Sequence, residues 1–245
     1  VFRVFIRHHP PMRIGILKVD SVHEDLVEIH KDYDHMFRQL FRTIRPDWHF
    51  KTYDVIAGEL PSHLAECHGY LITGSQYSTY DGFPWIKPLE DFIRQCDAEQ
   101  KKLIGICFGH QLIAQALGGC SQKSERGWGV GIREIQLTDK MTFLPSQPSL
   151  NRMIYTHQDQ VQQLPPHAQL LGGSAHCPIG MYQIGEHIWC CQGHPEFNEA
   201  YAEAIFSRRE EILGKDLMDM AIASLQNGTD RLVTTLWMAQ FFEST

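Results

Sequence analysis

Nowhere do the 245 residues gather lysine and arginine into a patch, and the formal net charge is -7. Nucleic acid and anionic membrane surfaces are therefore poor partners for this chain. No apolar run approaches the roughly 20 residues that a membrane-spanning helix needs. The seven cysteines are odd in number and include no C-x-x-C. That speaks against a disulfide framework or a structural zinc site and fits a reducing, cytoplasmic setting. The histidines show no clustered metal-ligand spacing, so neither metal nor cofactor is expected. No G-x-x-x-x-G-K-[ST] phosphate loop occurs, which leaves the chain without an evident means of activating an acceptor with ATP. Internal repeats, low-complexity segments and linker-like stretches are absent too. With 43% hydrophobic residues the chain can bury a sizeable core. A single α/β domain over residues 12–245 is the expected organisation. Residues 1–11 read as a flexible arm or an artefact, too short and too charged for a secretory apolar segment.

What is present centres on residues 102–111, Lys-Leu-Ile-Gly-Ile-Cys-Phe-Gly-His-Gln. They predict an apolar strand at 103–106, a sharp turn at Cys107 and a helix over about 109–117. Gly105 and Gly109 flank the cysteine in a G-x-C-x-G spacing, the strand–turn–helix elbow of serine nucleophiles with Cys in place of Ser. Glycines suit such a turn because strand and helix backbones approach closely there. The elbow lifts the thiol off the sheet onto a helix N-terminus, whose partial positive charge favours thiolate. A buried core cysteine is the plainer alternative.

Around this stretch the chain alternates. Residues 13–20 form an apolar strand, as in a sheet covered on both faces. An acidic loop to Glu28 follows. Tyr33, Met36, Phe37, Leu40, Phe41 and Ile44 then mark one helical face, closed before Pro46. Strands at 49–55 and 69–73 precede a helix from Pro84 that carries Leu89, Phe92, Ile93 and Cys96. This rhythm predicts a doubly wound, mostly parallel sheet with helices on both faces. Later strands at 130–137, 153–155, 169–171, 181–184 and 187–192 have hairpin-like spacing and predict a smaller antiparallel part. Three helices over 198–213, 216–226 and 231–242 close the chain, with Thr229 and Asp230 available to cap the last.

A cysteine nucleophile needs a base, an orienter and oxyanion donors. His194, in Gly-His-Pro-Glu-Phe at 193–197, directly follows a strand and is the best base. Glu196, two residues on, can accept from one imidazole nitrogen and leave the other facing the thiol. Ordinary helix capping by Glu196 is the competing explanation. Ligands on such sheets bind beyond the carboxyl ends of the strands, and both Cys107 and His194 fall there. The Phe108 N–H and one from Gly74 or Ser75 would serve as oxyanion donors.

Residues 105–111 (Gly-Ile-Cys-Phe-Gly-His-Gln), 193–197 and Thr73-Gly74-Ser75 together resemble the class I, triad-type glutamine amidotransferases, with the three motifs in the family's order. The resemblance implies a flavodoxin-like fold and hydrolysis of the γ-amide of glutamine through a γ-glutamyl thioester. It implies Cys107 as nucleophile, His194 as base and acid, Glu196 as orienter, Gly74 and Phe108 as oxyanion donors, and Ser75 and Gln111 beside the glutamyl group. Residues 155–161 (Tyr-Thr-His-Gln-Asp-Gln-Val) are similar to a segment of the GMP-synthetase-type members that binds the amino-acid end of glutamine, which implies such a role for His157 and Asp159. Gln158 stands where that segment has glycine and alters the space near the α-amino group. Without the resemblance His157 and Asp159 read as a polar loop pair, and His110 as a packing residue.

Three readings follow. A stand-alone amidotransferase would release ammonia from glutamine, either freely or for a separate synthetase subunit. A γ-glutamyl peptidase would cut small γ-glutamyl compounds, consistent with the wider space at Gln158. A non-catalytic partner protein could retain the fold, though the intact Cys107, His194 and Glu196 argue against it.

Overall fold

The computed structural model describes residues 11–138, 141 and 148–244. The arm expected over residues 1–11 lies, Pro11 apart, outside the described residues.

The first half builds strands β1 (Arg13–Lys18), β2 (His49–Asp54), β3 (Gly69–Ile72) and β4 (Lys102–Ile106). Helices α1 (Glu24–His30), α2 (Tyr33–Arg42), α3 (Ile86–Ala98) and α4 (Phe108–Ala116) run between and after them. The second half adds β5 (Cys120–Lys123), β6 (Gly129–Leu137), β7 (Leu150–His157), β8 (Asp159–Gln163), β9 (Ala168–Gly173), β10 (Met181–Ile184) and β11 (Ile188–Cys191). Helices α5 (Glu199–Arg208), α6 (Glu210–Leu213), α7 (Lys215–Ser224) and α8 (Arg231–Glu243) complete the described chain.

Nine strands make one sheet in the order β2-β1-β3-β4-β11-β10-β9-β6-β7, and β5 pairs with β8 in a separate ribbon. The first five strands are parallel and the rest antiparallel. The 2-1-3-4 start is the flavodoxin-like order, with a switch point between β1 and β3. Why the central strands are apolar almost throughout is plain from the packing. Ile14, Ile16, Leu71, Ile104, Ile106, Trp189 and Cys191 meet α2 and α8 residues such as Phe37, Phe41, Trp237 and Phe241. Leu17, Tyr70, Ile72, Leu103, Ile188 and Cys190 meet α3 and α4 residues such as Leu89, Phe92, Leu112 and Ile113. Period-two alternation thus feeds two cores, one on each face.

The sequence reading misses three elements. The acidic stretch before Glu28 holds α1, capped by the His23 side chain, which accepts from Asp25 N; none of its residues is buried, so no apolar periodicity announces it. Strands β5 and β8 are polar, CSQK and DQVQQ, and pair only with each other. The long helix expected over 198–213 is broken at Arg209, and Gly214 at φ +79° separates α6 from α7. Asp230 stands at the start of α8 without capping it; its carboxylate accepts from Arg152 N at 2.7 Å instead.

Candidate active site

Three neighbouring strands end at the site. Register pairs Ile72 with Gly105 and Cys191 with Ile106, so the residues beyond β3, β4 and β11 leave the same edge of the sheet side by side. Cys107 follows β4 with φ +50° and ψ -100°. A positive φ is costly for a side chain with a Cβ, about 1–3 kcal/mol. The turn is held by Cys107 N donating to Cys191 O at 2.9 Å. The flanking glycines are needed for contact: a Cβ on Gly105 would stand 2.7 Å from the Gly109 carbonyl, and one on Gly109 would stand 2.7 Å from Ile72 O. Helix α4 therefore presses directly on β3 and β4. Its first residue, Phe108, has an N–H with no intrahelical carbonyl to reach.

His194 arrives from the end of β11, anchored by its own N–H to Ile154 O at 2.9 Å. Its Nδ1 lies 2.8 Å from Glu196 Oε1. Phe197 stacks on the ring, centroids 4.1 Å apart and planes within 5°. Imidazole and carboxylate are both buried, at 4% and 3% exposure. The capping explanation for Glu196 fails on geometry, because Asn198 caps α5 by accepting from Tyr201 N at 2.8 Å. Burial works to lower the imidazole's pKa, but the Glu196 carboxylate and Cys107 outweigh it and raise it to about 10. His194 is thus an imidazolium at neutral pH, Nδ1 donating to Glu196. Its other nitrogen, Nε2, makes no hydrogen bond of ordinary geometry among the described residues.

Gly74 touches both groups. A Cβ placed there would stand 2.7 Å from His194 Cε1 and 3.4 Å from Cys107 Cβ. The pairing of β3 with β1 ends with Thr73 N donating to Leu17 O, which leaves Gly74 beyond the ladder. We expect Gly74→Ala to leave the melting temperature nearly unchanged while lowering kcat about 10²-fold, the cost of an imidazole displaced by about 1 Å. Steady-state kinetics with a melting curve separate the two effects.

A cleft with about 180 Å³ of water-accessible space opens over the sulfur. Ser75, Gln111, His157 and Asp159 all line it, together with Cys107, Gln76, Trp128 and Arg209. Ser75 Oγ accepts from Tyr77 N and reaches Asp20 Oδ2 at 3.5 Å. The Gln111 amide donates to Asp159 O at 2.8 Å and to Gln192 Oε1 at 3.1 Å, so its nitrogen is engaged within the protein. His157 and Asp159 are not a loop pair: they end β7 and begin β8, with Gln158 at the turn. His157 Nδ1 faces Asp159 O at 3.0 Å, and burial lowers the ring's pKa to about 3, so it is neutral. Asp159 Oδ1 accepts from Tyr80 OH at 3.0 Å. His110 is fully buried against Tyr182, ring centroids 4.9 Å apart, as a packing residue would be.

Two further residues escape the sequence reading. Gln192 Nε2 donates to Cys107 Sγ at 3.4 Å, linking the sulfur through Gln111 to Asp159 O. Its position two residues before His194 was the available signal. Asp20, just past β1, accepts from Gln76 N at 2.7 Å and Ser21 N at 2.8 Å and so fixes the loop that carries Gly74. Burial pushes its carboxyl pKa up. Among the described residues no group of three His, Cys, Asp or Glu is placed to hold a metal ion, and no helix is long and apolar enough to cross a membrane.

Comparison with known proteins gives a consistent family. The profile of the family described as glutamine amidotransferase class-I matches residues 25–209. γ-Glutamyl peptidase 3 of Arabidopsis thaliana is 33% identical over 183 residues, 71% of this chain and 72% of that protein. γ-Glutamyl peptidase 4 of the same plant is 35% identical over 174 residues, 68% of each chain. The crystal structure of a glutamine amidotransferase from Thermotoga maritima superposes with a TM-score of 0.78 at 21% identity, covering 96% of this chain and 100% of that one.

Proposed function

With the chain belonging to the class I glutamine amidotransferase family, we propose that it hydrolyses γ-glutamyl amide bonds through a thioester on Cys107. The observation that carries this reading is geometric: the buried His194 ring is held by Glu196 through one nitrogen and stands, with Cys107, against Gly74. An imidazolium beside the sulfur supports its thiolate form. Attack on the γ-carbonyl forms the C–S bond and puts negative charge on the carbonyl oxygen. The N–H groups of Phe108 and Gly74 are the donors that would meet it. His194 passes its proton to the departing amine as the C–N bond breaks. The neutral ring then takes a proton from water, whose oxygen attacks the thioester and regenerates the thiolate. Glu196 holds the ring in orientation and stabilises its charged form. Ser75, Gln111, His157 and Asp159 form the wall beside the glutamyl group.

Two leaving groups fit this chemistry, ammonia from glutamine and a larger amine from a γ-glutamyl compound. The relatives at 33% and 35% identity are γ-glutamyl peptidases, which favours the larger amine. Glutamine hydrolysis for a separate synthetase subunit is the second reading, supported by the family profile. A cytoplasmic site of action completes the proposal, on the strength of cysteines that are all unpaired among the described residues. A screen of γ-glutamyl amides with the purified protein tests it by released amine. We expect γ-glutamyl dipeptides to be cut faster than glutamine. Faster release of ammonia from glutamine would reverse that order, and no release from any substrate would remove the hydrolase reading.

A further inference from the structure

Arg209 is a cation at the cleft over Cys107 with no ion-pair partner among the described residues. It stands where α5 gives way to α6, a break that turns its side chain back toward the ends of β6 and β7. There its Nη1 donates to Thr156 Oγ1, and its Cζ lies 5.7 Å from the centre of the Trp128 ring. Both contacts orient a guanidinium without neutralising it. Its neighbour Arg208 is different, because Asp25 Oδ2 sits 2.7 Å from Arg208 Nη1. Among the described residues no carboxylate forms an ion pair with Arg209.

The surrounding acids are already engaged. A second cleft, also holding about 180 Å³ of water-accessible space, is lined by Asp20, Tyr33 and Tyr201, and it shares Gln76 and Arg209 with the cleft over Cys107. Asp20 accepts from Gln76, Ser21 and Ser75. Asp159, in the first cleft, accepts from Tyr80. A half-buried arginine held by an indole and a hydroxyl, at the junction of two clefts, has N–H groups left to offer a ligand. Planar bidentate recognition of a carboxylate is the task that fits it.

The second cleft is lined by none of Ser75, Gln111, His157 or Asp159, the residues set beside the glutamyl group, so a substrate that reaches into it does so with its other half. The geometry points to Arg209, at the junction, as the subsite for a carboxylate on the leaving-group side, which makes the preferred substrate a γ-glutamyl amino acid or peptide. This rests on the γ-glutamyl hydrolase reading above. The carboxylate is unchanged by the reaction: the bond cut is the γ-glutamyl C–N bond, and the amine departs with its carboxylate attached. A carboxylate is also present on the glutamyl half, so the test must separate the two.

γ-Glutamylglycine and γ-glutamylglycinamide differ only in that distal carboxylate. We expect the unsubstituted protein to prefer γ-glutamylglycine in kcat/KM. Arg209→Met should lower the ratio of the two kcat/KM values about 10–100-fold, the range for one charge-assisted hydrogen-bonded pair. Arg209→Lys, which keeps the charge but loses the fork, should restore part of the ratio. Reading a ratio within one preparation removes any general effect of the substitution on folding. An unmoved ratio overturns the subsite, and an equal loss on both substrates overturns it too by assigning Arg209 to the glutamyl half. Failure of the unsubstituted protein to cut either substrate instead sinks the hydrolase reading itself.

Discussion

Cys107→Ser is expected to remove γ-glutamyl amide hydrolysis almost completely, by about 10⁴–10⁶-fold, the range seen when a nucleophile that acts with its base as a unit is replaced. The substitution is close to isosteric, and serine can occupy the same turn, so the fold should survive. What changes is the nucleophile. A serine hydroxyl is a far weaker nucleophile than a cysteine sulfur under the same base. Among the residues that line the cleft, Cys107 is the one cysteine. Burial pushes the thiols of Cys96, Cys177 and Cys191 up to about 12, and those of Cys67 and Cys190 upward as well. Amine release and trapping of the acyl-enzyme by mass spectrometry both report the loss. Turnover close to that of the unsubstituted protein would place the chemistry elsewhere.

Glu196→Gln should cost nearly as much, about 10⁴-fold in kcat, by analogy with loss of the orienting carboxylate in other triads. Glutamine keeps the size but not the charge that opposes burial at His194. Without it the ring's pKa falls from about 10 toward or below its ordinary 6.5. Two readouts follow beyond rate. Alkylation of Cys107 at neutral pH slows, because the cationic neighbour is gone. Stability responds with a definite sign. A raised pKa contributes stability that is complete below the unfolded value of 6.5 and is lost as pH rises through about 10. The variant lacks that contribution, so its deficit against the parent should be largest near pH 6.5 and should close by pH 10. Denaturant titrations across that interval measure it. A deficit that does not vary with pH would mean that the Glu196–His194 contact is only packing.

Much of this was readable from residue order because the relevant signals are local. The elbow declares itself in the five residues Gly105 to Gly109, and its two glycines have a steric reason that holds wherever strand and helix backbones touch. The parallel half follows from apolar strands covered on both faces, and β1, β3 and β4 bury almost every side chain. The motif at 193–197 pairs ring and carboxylate through neighbours in the chain. What stayed hidden depends on distance in sequence or on polarity. Helix α1 buries no side chain, and β5 and β8 carry no apolar pattern, so periodicity passes over all three. Gln192 reaches the sulfur across 85 positions, and the Arg209–Trp128 contact spans a break inside what reads as one continuous helix. No spacing rule brings such pairs together; only the folded sheet does.

Strand β11 lies between β4 and β10 in the sheet, yet it is the last of its strands in the chain. During synthesis β4 therefore waits with one side bare while more than eighty further residues emerge, until 188–191 can slot in beside it. An unpaired apolar strand in mid-sheet is open to intermolecular pairing. A ribosome that stalls anywhere in the antiparallel half leaves a chain that lacks His194, the proposed base, and is adhesive as well. Competence and solubility arrive together, with β11 and the few residues that follow it.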